Sequence, residues 1–444
     1  MKSITFTFLF FILQTGFCKV NILLNNPNIS YDGAFYTNVS DTSVTFNRHL
    51  SSMITDWESG IGGQWINQWV ICQTGVRVRF KTASPTIDLT FKKRTGGGTI
   101  GGTPTNGFSV FVDGVEIQTF SSLSFTIQHP NPGIAKTFEV LLPNLWAVDF
   151  KGMQLADTYS LESLDLLNKP VYVAIGNSIT HGTGQYVSSA KGYPFILATK
   201  MGWNLHNIAV AGATLGWAIA KNVKGKQVDV ITIKIGFNDW KYSGGTLASK
   251  KTEYAKLLDS LRAYQPSAMI YCITPLYTSD NSGAAPYTIQ DFRDMVEQVV
   301  HEKQLTDDKL CLIYGPQISD ASMLASGDPV HLSEYGANLL ANSLYTKINE
   351  CGKTSVTEAL GGGTSNIVIT QANKTQLNFR VNQNGNYLFS VYSIEGREMY
   401  SKILSVDSSG WNTELWNGES LSAGVYVLKL SNQSDSCTTK IVVE

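Results

Sequence analysis

The stretch Val171-Tyr-Val-Ala-Ile-Gly-Asn-Ser-Ile-Thr180 decides the fold. Its first five residues are an unbroken apolar, β-prone run, the pattern of a strand covered on both faces of a parallel sheet. Gly176 then ends the run and a turn lifts Ser178 off the strand's C-terminal end, the edge at which open parallel sheets bind their ligands. Downstream, the runs Val228 to Ile235, Met269 to Ile273 and Leu310 to Tyr314 repeat the buried-strand pattern. Between them, Tyr193 to Met201, Ser249 to Tyr264 and Thr288 to Glu302 space their apolar residues as helices do. Strands alternating with helices predict an α/β domain over residues 166–351, a parallel sheet flanked by helices.

Upstream, residues 20–165 change character. Short β-prone runs follow one another, among them Gly75 to Phe80, Thr86 to Phe91 and Phe108 to Val112. Asp113-Gly114 sits between two alternating runs and predicts a hairpin with a type I′ turn, which needs positive φ at both central residues. With a glycine-rich loop from Gly96 to Gly102 and no long helical period, the region reads as a jelly-roll-like β-sandwich, an accessory domain. Residues 1–19 read as a secretory signal peptide: Met1-Lys2, an apolar run from Ile4 to Leu13, and cleavage near Cys18 or Lys19. Phe17 is too large for the residue before a lipidated cysteine. After the signal no run approaches the 18 apolar residues of a membrane span, so no transmembrane segment is expected.

Composition limits the function classes. The 444 residues carry a net charge of -1, with 43% hydrophobic and 16% charged residues, which describes a globular chain. No basic stripe is present, and nucleic acid is not expected as a partner. The six cysteines, Cys18, Cys72, Cys272, Cys311, Cys351 and Cys437, show no metal-ligand spacing, so no metal or other cofactor is expected. Cys272 and Cys311 fall in apolar runs and read as buried thiols.

Four short motifs occur in order within the α/β part. Ser178 stands in Gly176-Asn-Ser-Ile-Thr180 and needs a base to become a nucleophile. Gly212, in Asn207-Ile-Ala-Val-Ala-Gly-Ala-Thr214, lets backbone approach a carbonyl and offer an N–H. Asn238, in Gly236-Phe-Asn-Asp239, follows a strand end at the same sheet edge, with an amide that can donate to an oxyanion, while Asp239 orders its loop by accepting backbone N–H groups. In Asp328-Pro-Val-His331 the spacing allows the carboxylate to reach Nδ1–H of the imidazole and leave Nε2 to take a proton from Ser178. Trp240 and Tyr242 beside Asn238, and Tyr186 after Ser178, are candidate faces for a sugar ring. The other histidines form no cluster, and only His181 is near the first motif.

Block for block, Ser178, Gly212, Asn238 and Asp328-Pro-Val-His331 resemble the four motifs of SGNH (GDSL-like) hydrolases over about residues 170–350. One departure is Asn177, where the family has Asp, which affects a local hydrogen bond. No Gly-x-Ser-x-Gly elbow is present. The resemblance implies a serine esterase with catalytic Ser178, Asp328 and His331, an acyl-enzyme intermediate, and an oxyanion hole of the Ser178 and Gly212 N–H groups and the Asn238 side chain. A β-sandwich ahead of such a domain is similar to bacterial carbohydrate esterases that deacetylate polysaccharides, which implies an acetylesterase acting on an O-acetylated polysaccharide or oligosaccharide. The alternatives are a lipid or aryl-ester hydrolase on the same triad, and a non-catalytic glycan-binding surface protein.

Residues 352–365 are small and polar and read as a linker. Residues 366–444 return to short strands, a small Ig-like β-sandwich. Their Gly-Val-Tyr element at Gly424 to Tyr426 and terminal Lys440-Ile-Val-Val443 resemble the C-terminal sorting domain of type IX secretion cargo, with an ordinary immunoglobulin-like module as the alternative. This implies the secretion machinery as a partner, and a secreted or cell-surface protein.

Overall fold

The computed structural model describes residues 18–55, 69–94, 107–165, 168–184, 188–242, 246–283, 286–351, 367–372, 376–394, 396–407, 409–418 and 420–443. Residues 1–17, which cover most of the expected signal peptide, the Gly96 to Gly102 stretch, the 352–365 stretch and Tyr186 lie outside them. The chain divides into two compact units, residues 1–348 and 349–444.

The first unit begins with two antiparallel sheets. One runs Tyr36–Val39, Val44–Asn47, Val148–Ala156, Thr86–Lys93, Ser124–Gln128, with Lys19–Ile22 added on Val148–Ala156. The other runs Leu161–Glu162, Arg77–Thr82, Lys136–Leu141, Phe108–Val112, Val115–Phe120, with Ile29–Asp32 added on Arg77–Thr82. Period-two alternation sends Ile87, Leu89 and Phe91 to one side of their strand. One hydrophobic core draws on both sheets, with Phe46, Phe91 and Phe150 from the first and Phe80, Phe108 and Phe138 from the second. Phe91 and Phe108 join them, with ring centroids 4.5 Å apart. The expected hairpin links Phe108–Val112 to Val115–Phe120, and both turn residues take positive φ, Asp113 at 48° and Gly114 at 83°.

The parallel sheet follows. Its strands are β1 (Val171–Gly176), β2 (Asn204–Asn207), β3 (Val230–Lys234), β4 (Met269–Ile273) and β5 (Leu310–Ile313), in the order β2-β1-β3-β4-β5. All four pairings are parallel. Among the described residues six α-helices accompany it: α1 (Ser178–His181), α2 (Tyr193–Met201), α3 (Phe237–Tyr242), α4 (Leu247–Tyr264), α5 (Ile289–Gln304) and α6 (Glu334–Cys351). The start of α5 is set by a capping box, in which Asp291 Oδ2 accepts from the Thr288 N–H at 2.6 Å while Thr288 Oγ1 accepts from the Asp291 N–H at 3.3 Å. Strand order reverses between β1 and β3, so the crevice for a ligand opens beyond the C-terminal ends of those two strands. Ser178 follows β1 and Asn238 follows β3.

The second unit has its own core. A three-stranded sheet (Ile367–Ala372, Gln376–Val381, Gly410–Leu415) and a four-stranded one (Glu398–Val406, Gly385–Ser393, Gly424–Ser431, Ser436–Val443) share a cluster that includes Phe379, Phe389, Trp416 and Leu428.

One expectation is corrected. Cys311 is not a thiol: both Cys311 and Cys351 are disulfide-bonded. Cys311 falls on β5 and Cys351 closes α6. An apolar strand pattern reports burial and carries no information about the oxidation state of a sulfur within it. Cys272 is the buried thiol expected, with burial pushing its pKa up to about 12.

Candidate active site

Gly176 ends β1 because nothing larger fits there: a Cβ would overlap the Thr180 side chain and crowd the Lys234 carbonyl. The chain turns at Asn177 into the single turn of α1, with Ser178 as its first residue. A first-turn N–H has no intrahelical acceptor. Among the described residues the Ser178 N–H donates to no protein group.

The histidine comes from the loop before α6. Asp328 Oδ1 accepts from the backbone N–H groups of Val330 at 2.8 Å and His331 at 2.9 Å, which folds the Asp-Pro-Val-His turn on itself. Its other oxygen, Oδ2, lies 2.8 Å from His331 Nδ1. His331 Nε2 lies 2.9 Å from Ser178 Oγ. Three side chains thus form one line, with Nδ1–H directed at the carboxylate and Nε2 left facing the hydroxyl. Burial raises the Asp328 pKa, yet the His331 and Val330 N–H groups and the adjacent imidazole outweigh it and hold the carboxyl below its usual value. The line is reachable from solvent, the His331 and Asp328 side chains being 25% and 34% exposed.

After β2 the chain runs on beside β1. The Ile208 N–H donates to the Ala174 carbonyl at 3.0 Å and the Val210 N–H to Gly176 at 3.1 Å. Gly212 follows at φ 80°, a conformation other residues rarely adopt, and its N–H has no protein acceptor among the described residues. Asn238 is buried and gives one amide hydrogen to the Ala213 carbonyl at 2.8 Å, which ties it to the residue after Gly212 and orients the remaining hydrogen. Asp239 accepts from the Leu215 N–H at 3.0 Å and pairs with Lys250 at 2.9 Å, so it orders the loop as expected. The arrangement presents a hydroxyl in contact with a base, and backbone and amide donors on segments joined to it.

Trp240 is no sugar platform. It is only 4% exposed, with its indole edge-on to Phe237 and its Nε1–H donated to the Tyr287 carbonyl at 3.1 Å. It fills space beside Gly283, where any Cβ would overlap the indole. An aromatic two residues after a site asparagine packs into the core because α3 turns it inward. Tyr242, two residues on, is 73% exposed. Tyr186 lies outside the described residues.

Two features were not read from the sequence. Lys234, at the end of β3, is 2% exposed and donates to Asn177 Oδ1 at 2.9 Å, with burial pulling its pKa down to about 7. The signal was a lysine in the apolar run Val230-Ile-Thr-Ile-Lys-Ile235, where a charged residue requires a partner. His181, in the same turn as Ser178, faces the carbonyl oxygens of Ala209 at 3.0 Å and Asn144 at 2.7 Å. Burial and the nearby Arg48 charge push its pKa down to about 3.

Residues 174–339 match the model of the GDSL-like lipase/acylhydrolase family. Residues 353–444 match the secretion system C-terminal sorting domain. Among solved structures, a salicylyl-acyltransferase, SsfX3, from a tetracycline biosynthetic pathway aligns over 75% of this chain and 98% of its own at 19% identity, with a TM-score of 0.64. A GDSL-like lipase from Bacteroides ovatus aligns over 76% and 98% at 14% identity and a TM-score of 0.60. A family two carbohydrate esterase from Cellvibrio japonicus aligns over 76% and 98% at 15% identity and a TM-score of 0.54. At these identities the likeness is one of fold. No curated protein matches the sequence. The chain is a multidomain protein that carries a GDSL-like lipase/acylhydrolase domain, followed in sequence by a type IX secretion sorting domain.

Proposed function

We propose that this protein is an exported serine esterase that removes O-acetyl groups from a polysaccharide. The observation that carries the reading is the line from Asp328 through His331 to Ser178, with contacts of 2.8 and 2.9 Å. On this reading Ser178 Oγ attacks the ester carbonyl as His331 Nε2 takes its proton, and Asp328 stabilises the resulting imidazolium. The N–H groups of Ser178 and Gly212 and the Asn238 amide hold the oxyanion. His331 then gives its proton to the departing sugar hydroxyl, leaving an acetyl-enzyme, and a water activated by the same imidazole releases acetate.

The polysaccharide assignment is supported by the two antiparallel sheets ahead of the α/β part, read here as a jelly-roll-like sandwich, and by the fold shared with a family two carbohydrate esterase. An N-terminal signal peptide and the sorting domain would deliver the enzyme to the cell surface or beyond, where such polymers are met. The test is acetate release from acetylated xylan, beside a lipid ester and a p-nitrophenyl acetate control. The wild-type chain should release acetate from the glycan, and Ser178→Ala should lower kcat on every ester by about 10⁴-fold or more. A Ser178→Ala variant as active as wild type overturns the esterase reading. Hydrolysis of lipid ester without glycan acetate overturns the substrate.

A further inference from the structure

Arg48 is a charged side chain that the N-terminal β region sends into the α/β part. Arg48, directly after the strand Val44–Asn47, is 1% exposed. Among the described residues its guanidinium makes four hydrogen bonds, all to backbone carbonyls. Nε donates to Cys72 at 2.5 Å and Nη2 to Trp69 at 3.0 Å, both within the β region. Nη1 donates to Asn207 at 2.6 Å and Ala209 at 2.9 Å, on the segment that leads to Gly212. No carboxylate is among these partners. A buried guanidinium without a counter-ion is costly, and carbonyl dipoles aimed at its planar fork are what compensate it.

Those carbonyls belong to a segment fixed at nearly every step. Asn207 Nδ2 donates to the Thr180 carbonyl at 2.7 Å, and Asn207 Oδ1 accepts from the Ala209 N–H at 3.0 Å. The Ala209 carbonyl also faces His181 Nδ1 at 3.0 Å. Thr74 Oγ1, again from the β region, donates to the His181 carbonyl at 2.8 Å. Asn144 Nδ2 donates to the Gly182 carbonyl at 2.6 Å. The β region therefore grips both α1, which carries Ser178, and the 207–213 segment, which carries Gly212 and receives Asn238.

We infer that Arg48 is a positioning residue for the ester chemistry: it locks the 207–213 segment so that the Gly212 N–H and the Asn238 amide converge on the oxyanion. The inference rests on the serine esterase reading. It makes the N-terminal β region a working part of the active site, in addition to any role in binding polymer. Replacing the fork by a single ammonium in Arg48→Lys keeps the charge but gathers the donors on one nitrogen, which cannot reach the four carbonyls that Nε, Nη1 and Nη2 bind. Oxyanion donors displaced by about an ångström lower turnover by about 10- to 100-fold. Substrate binding, which does not use the oxyanion geometry, stays in place.

The experiment measures kcat and KM on p-nitrophenyl acetate for the full chain, Arg48→Lys, Thr74→Val, Asn238→Ala and the double variant Arg48→Lys/Asn238→Ala, with Ser178→Ala in parallel. Near-ultraviolet circular dichroism reports folding. The expected result is a kcat loss of about 10- to 100-fold in folded Arg48→Lys with KM changed less than about twofold. The double variant should lose clearly less than the product of the single losses, because both act on the same oxyanion donors. If Arg48→Lys does not fold, the milder Thr74→Val carries the same kcat-specific prediction at about three- to tenfold. A folded variant with wild-type kcat, or losses that multiply in the double variant, overturns the inference. Should Ser178→Ala keep its activity, the esterase reading itself fails; its inactivity beside an unaffected Arg48→Lys sinks the positioning role alone.

Discussion

At the residue scale, the side chain with the clearest energetic consequence outside the triad is Lys234. It lies under the turn that carries Ser178, with Asn177 as its hydrogen-bond acceptor, and burial lowers its pKa to about 7. In the unfolded chain a lysine titrates near 10.4. Between these values the unfolded state holds a proton that the folded state has released, so stability rises as pH goes from about 7 to about 10. Below about 7 both states are protonated and the burial penalty is complete, on the order of 5 kcal/mol for a shift of this size. Lys234→Met should therefore gain most, relative to wild type, at and below pH 7, with the gain shrinking toward pH 10. Urea unfolding of the pair across that range measures it; a difference that does not change with pH would show that Lys234 is charged in the folded state throughout. Asp328 has the opposite sign. Its lowered pKa contributes stability above the ordinary carboxylate range that is lost as pH falls through its folded value.

At the element scale, the line from Asp328 through His331 to Ser178 depends on how α6 meets the loop that carries Asp328 and His331. Met323 is the meeting point: its carbonyl accepts from the Ser333 N–H at 2.9 Å, and a Cβ on Gly336 of α6 would overlap that same oxygen. Gly336 is thus a close-approach glycine. Alanine is the better helix former by about 1 kcal/mol, but overpacking against backbone costs about 1–3 kcal/mol. Gly336→Ala should lower the melting temperature and, by shifting the turn that holds His331 against Ser178, reduce kcat. Calorimetry and a p-nitrophenyl acetate assay check both. An alanine variant more stable than wild type would mean that the helix yields freely.

At the scale of the whole molecule, the two compact units carry separate hydrophobic cores. A chain ended after Cys351 retains the disulfide-bonded cysteines, the triad and both N-terminal sheets. It should hydrolyse p-nitrophenyl acetate within about twofold of the full chain, since no group proposed to react lies beyond residue 331. Scanning calorimetry of the full chain should show a transition that the shortened chain lacks. In the secreting organism the shortened chain should be retained, because the sorting domain is gone. Equal export of both would remove the sorting role.

The amino-acid sequence by itself determined the parallel sheet, because a run such as Val171 to Ile175 is apolar on both faces in every neighbourhood it can occupy. It determined the Asp113-Gly114 hairpin, because only that turn accepts two positive φ values between twisted strands. Ser178, Gly212, Asn238, Asp328 and His331 were also legible as one group, although Ser178 and His331 are 153 residues apart. Ser178, Gly212 and Asn238 each follow a strand end, and in a parallel sheet those ends share one edge, whereas Asp328-Pro-Val-His331 lies in the loop before α6 and was read from its three-residue spacing. What only the tertiary structure decided were contacts without a local pattern. The indole of Trp240 turned to the core, Cys311 entered a disulfide, and Arg48 crossed to Asn207, 159 residues away. The reason is physical: periodicity and turn chemistry act over a few bonds, whereas a buried side chain's partners are set by which surfaces pack together, and packing is a property of the whole chain.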